Sequence, residues 1–392
     1  MPNTALNPAG MTLALVRNPE AFFAMRAEWD DLMLESNAAV FNSWEWLYPW
    51  YKHMGRGRDL RILTARDETG RLVGVMPLCL QRMWMGGRTL RRLAFLGETH
   101  LGSDYLDIIA RRDCEQEVTA AFVRALKRSS RTWDVLDLLD VNSQSLTLRA
   151  LRDAFEQGEY CVEVSPRSIC PCETFKPSET FDGFLRRTKR RANYRRRKKW
   201  LEQQPGYRIT CETEPENVSK ALDELMRLHA LRWAVEGGSE AINSAKVIAF
   251  HRDATRLLAE RGLIRMFVME VEGRAVASVY GIVHNATFHY YQSGRDPEWH
   301  SKSVGLVLVG ETFRSSLEAG LRSYDFLQGE EHFKSEWTSD HKETVGIRIY
   351  RSQGIGMWLG RREHAIRVVK DYAKRVLPEK WAHRLTHWLH KF

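Results

Sequence analysis

Long apolar runs are missing from this sequence of 392 residues. No stretch approaches the ~18 consecutive apolar residues that a membrane-spanning helix needs, so the sequence predicts no transmembrane segment. The first ten residues, MPNTALNPAG, contain neither a basic nor an apolar region, and no secretory signal is expected there. Both absences favour a cytoplasmic protein.

Paired cysteines are also lacking. The sequence contains six cysteines without C-x-x-C spacing, and the one close pair, Cys170 and Cys172, stands alone. Disulfide frameworks and zinc sites are usually built from repeated pairs. The sequence therefore predicts reduced thiols and no metal site.

Acidic residues are absent from segment 186–200, which contains ten of the basic residues behind the net charge of +9. Such a charge predicts a partner rich in phosphate. Three interpretations remain open: a solvated helix between domains, a phosphate clamp that includes Arg191 and Arg195, and a nucleic-acid-binding helix. Nothing else in the sequence favours DNA, because zinc-finger, homeodomain and zipper spacings are absent.

The most informative stretch present is 273–337. Two β-branched and aromatic runs, 274–283 and 287–293, are joined by a short turn and predict a hairpin. A polar loop, a helix capped by Ser301 or Ser303 and ended at Gly320, and a short strand at 323–327 follow. The loop therefore presents free N–H groups at a helix start, where proteins hold phosphates.

The order of elements in this stretch occurs twice in the chain. Residues 60–78 and 264–282 both read as an apolar strand, an acidic Gly-Arg turn and a second apolar strand. This repeat predicts two α/β units, 11–165 and 175–350, divided near 165–177, with a helical basic tail over 355–392. We expect the units to superpose as mixed, splayed sheets with a cleft between them, and not to form one continuous sheet.

Four motifs, in this order, carry a family resemblance. They are Phe41-x-x-Trp44, the basic segment before Trp200, Leu228-His229-x-x-Arg232-Trp233, and Tyr324-Asp325-Phe326-Leu327-x-Gly329-x-x-x-x-Lys334-x-x-Trp337. With the repeated order of elements, the chain resembles tandem GNAT-type acyltransferases, in particular the bacterial branch named for the cellulose-biosynthesis protein CelD, which is related to the Fem-type aminoacyltransferases.

The resemblance implies transfer of an acetyl, longer acyl or aminoacyl group to an amine or hydroxyl, in polysaccharide or cell-envelope biosynthesis. Acyl-CoA would be a co-substrate and not a bound cofactor. In such enzymes the donor pyrophosphate lies on a loop that opens the central helix, and window 302–307 matches that loop in part. Val307 departs from the pattern, because it replaces a small residue and is expected to crowd the loop. The first half offers no matching glycine at 107–115.

The sequence and the resemblance together predict a site for direct transfer without a covalent intermediate. The base would be Asp325, Glu330 or Glu331, with His332 in reserve, while Tyr291 and its neighbours would supply N–H groups to the oxyanion. The predicted donor-binding residues are Ser293, Gly294, Lys302, Ser303, Val304 and Gly305. The predicted substrate-binding residues are Arg191, Arg195, His229, Arg232, Trp233, Lys334 and Trp337.

Two alternatives stand beside this prediction. A degenerate pair of such folds could hold a phosphate-bearing or polysaccharide ligand without catalysis. The donor could also be an aminoacyl-tRNA, which some Fem-type relatives use.

The tryptophan-containing basic tail could lie on an anionic membrane surface or pack on its own domain.

Overall fold

The computed structural model describes residues 10–85, 88–98, 101–236 and 244–353, apart from the side chains of Met85 and of residues 232–236. The predicted tail at 355–392 lies outside these residues. Among the described residues, no helix combines the length and apolar content needed to cross a bilayer. All six cysteines are free thiols.

The first half begins with a strand and three helices and continues with seven strands and two helices. Its strands are β1 (Thr12–Val16), β2 (Arg58–Leu60), β3 (Ile62–Arg66), β4 (Leu72–Met76), β5 (Leu78–Met85), β6 (Arg88–Phe95), β7 (Ile109–Ala110) and β8 (Val135–Asn142). Its helices are α1 (Pro19–Ala24), α2 (Arg26–Glu35), α3 (Trp44–Met54), α4 (Glu115–Arg128) and α5 (Leu146–Phe155).

The second half begins with a 15-residue strand that follows α5. Its strands are β9 (Tyr160–Thr174), β10 (Arg208–Glu212), β11 (Ile264–Val271), β12 (Arg274–His284), β13 (Thr287–Arg295), β14 (Ser323–Asp325) and β15 (His341–Arg351). Its helices are α6 (Phe181–Arg187), α7 (Arg191–Leu201), α8 (Pro215–Glu236), α9 (Ala245–Glu260), α10 (Val304–Glu318) and α11 (His332–Ser335).

Local chemistry accounts for the elements at the centre of the second half. Asn285 and Ala286 both have positive φ between β12 and β13, the conformation of a tight hairpin turn. Gly320 ends α10 at φ 69°, in the left-handed region where the chain leaves the helix. The predicted hairpin, helix and strand of 273–337 are therefore present in this order.

The two halves have a similar succession of strands, although in the first half β1, β3, β4 and β7 form a separate four-stranded sheet. In the first, β1, β3 and β4 are antiparallel, β5 continues the chain beyond Pro77 and pairs with β6, and β6 is parallel to β8. In the second, β10, β11, β12 and β13 are antiparallel, and β13 is parallel to β14. The fold is thus α/β with two GNAT-like arrangements of strands.

Both parallel pairs are splayed. Strand β6 pairs with β8 only at Arg92 and Leu93, and β13 pairs with β14 only over residues 287–289. Beyond His289, β13 diverges from its parallel neighbour. This divergence opens the sheet beside the start of α10.

One expectation is wrong: the halves do not keep separate sheets. Strand β9 pairs with both β14 and β15, and β15 pairs with β8, so eleven strands form one continuous sheet. The predicted linker at 165–177 lies largely within β9 for this reason. The β9–β15 pairing satisfies the backbone groups of a long segment that would otherwise expose them. The division into units 11–165 and 175–350 stays a prediction.

Candidate active site

A cavity of about 300 Å³ lies in the splay, between β12, β13 and the start of α10; we call it the α10 cavity. Its strand side includes Ser278, Ser293 and Gly294, and its helix side includes Ser303, Val304 and Gly305. Trp337 also lines it. The structure therefore brings together five of the six predicted donor-binding residues, with Lys302 excepted.

The first turn of α10 is open toward this cavity. Ser303 precedes the helix in the left-handed conformation, at φ 61°, and its side chain makes no capping hydrogen bond. A Cβ added at Gly305 would meet nothing within 4 Å. The first N–H groups of a 15-residue helix therefore have room for an anion beside them.

Val307 does not crowd this loop, contrary to expectation. Its side chain is fully buried in the core of the second half and does not line the α10 cavity. Lys302 does not line the cavity either, because its ammonium lies over the Trp200 ring, 5.0 Å from the ring centroid.

The backbone of β13 is irregular beside the cavity. Tyr280 of β12 pairs with Gln292, but the adjacent Gly281 pairs with Tyr290, so Tyr291 is an extra residue in β13. Such bulges re-aim backbone groups near active sites. The Ser293 N–H donates to Oε1 of the Gln292 side chain at 2.9 Å, which a ligand oxygen could replace.

A second cavity, of about 190 Å³, adjoins the first; we call it the Asp104 cavity. It is lined by Leu101, Gly102, Asp104, His251, Tyr290, Tyr291, Gln292, Ser293, Phe326, Leu327, Gln328, Glu331, Phe333 and Lys334. Tyr290, Ser293 and Phe333 line both cavities, so these share one wall. Both halves of the chain contribute to the Asp104 cavity.

Asp104 is the carboxylate best placed for chemistry. The residue is 0% exposed, and its Oδ2 accepts a hydrogen bond from the Gln328 N–H at 2.9 Å. Its Oδ1 has no hydrogen-bond partner among the described residues. The pKa of Asp104 is raised to about 7, chiefly by burial; the carboxylates of Asp140 and Asp325 also raise this pKa, while the Gln328 N–H and the Lys334 ammonium lower it.

His251 lines the same cavity as a neutral imidazole. Its pKa is lowered to about 3, chiefly by burial and also by the nearby His229. Its Nδ1 has no hydrogen-bond partner within the described part of the chain, and neither does the buried hydroxyl of Tyr280, whose ring contacts it. Unpaired buried polar groups are rare in folded proteins, so their presence here favours a polar ligand.

Asp325, the first candidate for the base, is fully engaged in the protein. Its carboxylate accepts hydrogen bonds from Tyr105 Oη at 3.1 Å, Lys342 Nζ at 2.9 Å and the Leu327 N–H at 2.9 Å. It is buried and lines neither cavity. Because Tyr105 belongs to the first half and Asp325 to the second, this hydrogen bond helps to hold the two halves together.

The other predicted catalytic residues are divided. Glu331 lines the Asp104 cavity and pairs with Lys334 at 2.9 Å, while Lys334 Nζ also donates to the Gln328 carbonyl at 2.7 Å. Tyr291 lines this cavity, and its hydroxyl donates to the carbonyl of Leu101. Glu330 and His332 are exposed and line neither cavity.

The predicted substrate-binding arginines lie elsewhere. Arg191 and Arg195 each donate to Asp182 Oδ1 at 2.7 Å, and neither lines the α10 cavity or the Asp104 cavity. His229 is buried. Helix α8 lies so close to β13 there that a Cβ added at Gly294 would be 3.0 Å from the backbone nitrogen of His229. Arg232 and Trp233 belong to α8, but their side chains lie outside the described residues.

The sequence-based prediction missed three residues: Asp104, His251 and Ser278, whose hydroxyl is buried on the α10 cavity without a partner among the described residues. Only Asp104 had a local signal, since it follows a strand of the first half in a loop with glycine and serine. The pairing of that loop with Gln328 depends on the fold.

Comparisons with known proteins agree with this geometry. The family model described as "Acetyltransferase (GNAT) domain" matches residues 188–335, which include most of the residues that line the α10 cavity. This match supports a GNAT-type acyltransferase. No curated protein sequence matches the chain.

The GNAT-type fold extends beyond the matched segment. The solved structure of FemX is similar over 83% of this chain and 96% of its own, with a TM-score of 0.58 and 13% identity. The C-terminal domain of a putative lysylphosphatidylglycerol synthetase from Agrobacterium fabrum is similar over 88% of this chain and 96% of its own, with a TM-score of 0.52 and 11% identity. At these identities the similarity shows the shared fold.

Proposed function

We propose that this protein transfers an acyl group from a carrier in the α10 cavity to a primary amine in the Asp104 cavity. The observation that carries the proposal is the shared wall of the two cavities, with an unpartnered Asp104 oxygen beside it. A donor and an acceptor bound in adjoining cavities can react directly. A covalent enzyme intermediate is then unnecessary.

The charge of the Asp104 cavity favours an amine over an alcohol. Asp104 and Glu331 contribute carboxylates, His251 is neutral, and Lys334 is engaged by Glu331 and the Gln328 carbonyl. An ammonium group entering this cavity gains a hydrogen bond to Asp104 Oδ1 that no described residue provides.

The transfer then follows from these positions. Asp104 removes a proton from the ammonium group, and the free amine attacks the acyl carbonyl carbon. The oxyanion is held by backbone N–H groups near the bulge at Tyr291, among them that of Ser293. The carbon–sulfur bond of a thioester donor then breaks, the nitrogen gives its second proton to the departing thiolate, and the carrier leaves as a thiol. Asp104 releases the first proton to solvent.

Acyl-CoA is the donor that the α10 cavity favours. Open N–H groups at the start of α10 suit a pyrophosphate, and the free face of Gly305 leaves space for it. Part of the basic run is engaged within the protein, since Lys198 pairs with Glu311 at 2.6 Å and Arg190 pairs with Glu336 at 3.0 Å. An aminoacyl-tRNA would need more of the exposed face of α7. The setting in polysaccharide or cell-envelope biosynthesis is part of the proposal that rests on the resemblance alone.

Calorimetry with acetyl-CoA, a long-chain acyl-CoA and an aminoacyl-tRNA tests the donor, and turnover with matched amines and alcohols tests the acceptor. We expect saturable binding of a CoA thioester and turnover with amines only. Arg195→Ala should change CoA-dependent turnover less than about twofold, because Arg195 lines neither cavity. Tight tRNA binding that Arg195→Ala weakens would instead favour the aminoacyl donor. Ligand binding without turnover would favour the binding module.

The base is tested by Asp104→Asn, with Asp153→Asn on the exposed face of α5 as the matched control. Loss of a general base costs about 10²–10⁴-fold in rate. We expect kcat to fall at least about 100-fold in Asp104→Asn, with donor affinity unchanged and the control active. A fully active Asp104→Asn enzyme would assign the base elsewhere, with Glu331 as the remaining carboxylate of the cavity.

A further inference from the structure

The β5–β6 hairpin extends beyond the sheet as a two-stranded ribbon. Strand β2 pairs with β5 only at residues 79–81, and β8 pairs with β6 only at Arg92 and Leu93. Residues 82–85 and 88–91 therefore pair only with each other. Leu90 is buried against Val135 and Tyr350, with Met83 packed beside them, so the exposed part of the ribbon is its outer end at Trp84, Arg88 and Thr89.

The ribbon exposes an aromatic side chain near its tip. Trp84 is 75% exposed, the largest value among the exposed large hydrophobic residues of the described chain. It pairs across the ribbon with Thr89, which does not cover it. A single exposed apolar residue is common in folded proteins, so Trp84 indicates a binding role only together with the charges around it.

The charge around Trp84 is basic. Segment 81–92 contains four arginines and no acidic residue. Arg82 pairs with Asp59 and Arg91 with Asp134, whereas Arg88 is exposed and has no carboxylate partner among the described residues.

Two more exposed arginines lie at the same end of the sheet. Arg128 ends α4 and Arg131 follows it, and neither has a carboxylate partner in the described ranges. Their loop leads into Asp134, whose N–H donates to the Arg91 carbonyl at 2.9 Å, so they lie close to the base of the ribbon. The ribbon and this loop together form a basic surface around an aromatic tip.

We propose that the ribbon tip docks on an anionic lipid surface, with Trp84 in the headgroup region and Arg88, Arg128 and Arg131 against lipid phosphates. A specific protein partner needs about 800 Å² on each side, whereas one Trp side chain supplies about 150–250 Å². Tryptophan is typical of the membrane interface, where an apolar group and adjacent cations are sufficient for weak anchoring. The size of the tip therefore favours a bilayer over a protein.

This contact would hold the protein on the membrane, but the acceptor would not reach the Asp104 cavity from the bilayer. The loop that carries Asp104 follows the opposite end of β6, and the eight residues of this strand span roughly 26 Å. The Asp104 cavity would thus open well above the lipid headgroups. The inference is independent of the proposed transfer reaction.

Co-sedimentation of the full chain with vesicles tests the proposal. Vesicles of phosphatidylcholine alone are compared with vesicles containing one-third phosphatidylglycerol, at low and high salt. We expect binding to the anionic vesicles only, reduced by salt. Trp84→Thr should lower the partition coefficient at least tenfold, and Arg88→Glu at least about fivefold, because one basic residue near an anionic surface contributes ~1 kcal/mol.

The matched control is Leu34→Thr, because Leu34 is 63% exposed on α2, a separate element. It should bind vesicles as the wild type does, and all variants should keep the wild-type circular dichroism spectrum and melting temperature. Absence of wild-type binding, or binding that Trp84→Thr leaves unchanged, would overturn the proposal. Equal binding to neutral vesicles would also overturn it. Self-association of the wild type that Trp84→Thr abolishes would assign the tip to a second copy of the chain.

Discussion

At the scale of single residues, two buried aspartates receive opposite environments. Asp325 is surrounded by donors from Tyr105, Lys342 and the Leu327 N–H, whereas Asp104 has one donor and an unpaired oxygen. Only Asp104 therefore has a carboxylate oxygen that remains available to a ligand, whereas the oxygens of Asp325 are occupied by donors from the protein.

The raised pKa of Asp104 predicts a pH-dependent rate. Asp104 must be deprotonated to act as a base, so kcat/KM should rise with pH and level off above its pKa of about 7. The measurement is a pH profile with an amine whose own pKa is known. In Asp104→Asn the residual rate should lose this inflection, and an inflection near 7 that persists in the variant would belong to another group.

The same group predicts the sign of a stability change. The folded-state pKa of Asp104 lies above its ordinary value of 3.8, so its contribution to stability is lost as pH rises toward 7. The unfolding midpoint of Asp104→Asn minus that of the wild type should therefore be more positive at pH 8 than at pH 5. Denaturant unfolding at the two pH values measures the difference, and an equal offset at both would contradict the raised pKa.

At the scale of elements, α10 is the helix on which the proposed donor site depends. Its interior face is apolar and buried, while its first turn is open at Gly305. Helix starts combine free N–H groups with a favourable dipole, so an acidic residue in the first turn stabilises the helix itself. Substitution at Gly305 can therefore separate donor binding from folding.

Gly305→Asp should abolish binding of a CoA thioester and leave the melting temperature within a few degrees of the wild type. The new carboxylate would occupy the space for the donor phosphates and repel them, while its charge suits the helix start. Calorimetry measures the binding. Gly305→Ala is the matched control, because its Cβ meets nothing within 4 Å and a helical alanine is favoured by about 0.5–1 kcal/mol. Unchanged affinity in a folded Gly305→Asp protein would remove this turn from the donor site.

The basic segment folds as two short helices. Lys189 lies between α6 and α7 at φ 57°, so the segment turns instead of continuing as one helix. Tyr194 then packs against Gly310 of α10, and its hydroxyl donates to Glu311. One side of α7 thus belongs to the core, while Arg195, Arg196 and Lys199 are exposed on the other side.

At the scale of the whole molecule, the continuous sheet makes the two halves one structure. Strand β9 lies between β14 and β15, and β15 also pairs with β8 of the first half, so β15 joins the strands of the two halves. The loop that carries Asp104 also depends on this joint, because it contacts Gln328 of the second half. Neither half completes the Asp104 cavity by itself.

We therefore expect the two halves to unfold together in one cooperative transition. Phe122→Ala in the first half and Phe313→Ala in the second should each lower the free energy of unfolding by about 3–5 kcal/mol, because both rings are fully buried. Calorimetry should show each variant shifting the same single transition. Two transitions, each moved by only one of the substitutions, would show that the halves unfold independently.

Local sequence determined the central elements and the family resemblance. β-branched runs, the turn at Asn285, the apolar periodicity of α10 and Gly320 act within a few residues, so the hairpin, the helix and strand β14 could be predicted in order. The same local signals placed Ser293, Gly294, Ser303, Val304 and Gly305 at one cavity.

Only the tertiary structure determines which residues join the two halves and which aspartate keeps an unpaired oxygen. The contacts between Tyr105 and Asp325, Asp104 and Gln328, and β9 and β15 join residues more than 150 positions apart, and no local pattern specifies such pairs. Burial raises the pKa of Asp104 and lowers that of His251 only after both halves surround them. The sequence alone does not distinguish Asp104 from Asp325, because the packing of the two halves determines which of them keeps an unpaired oxygen.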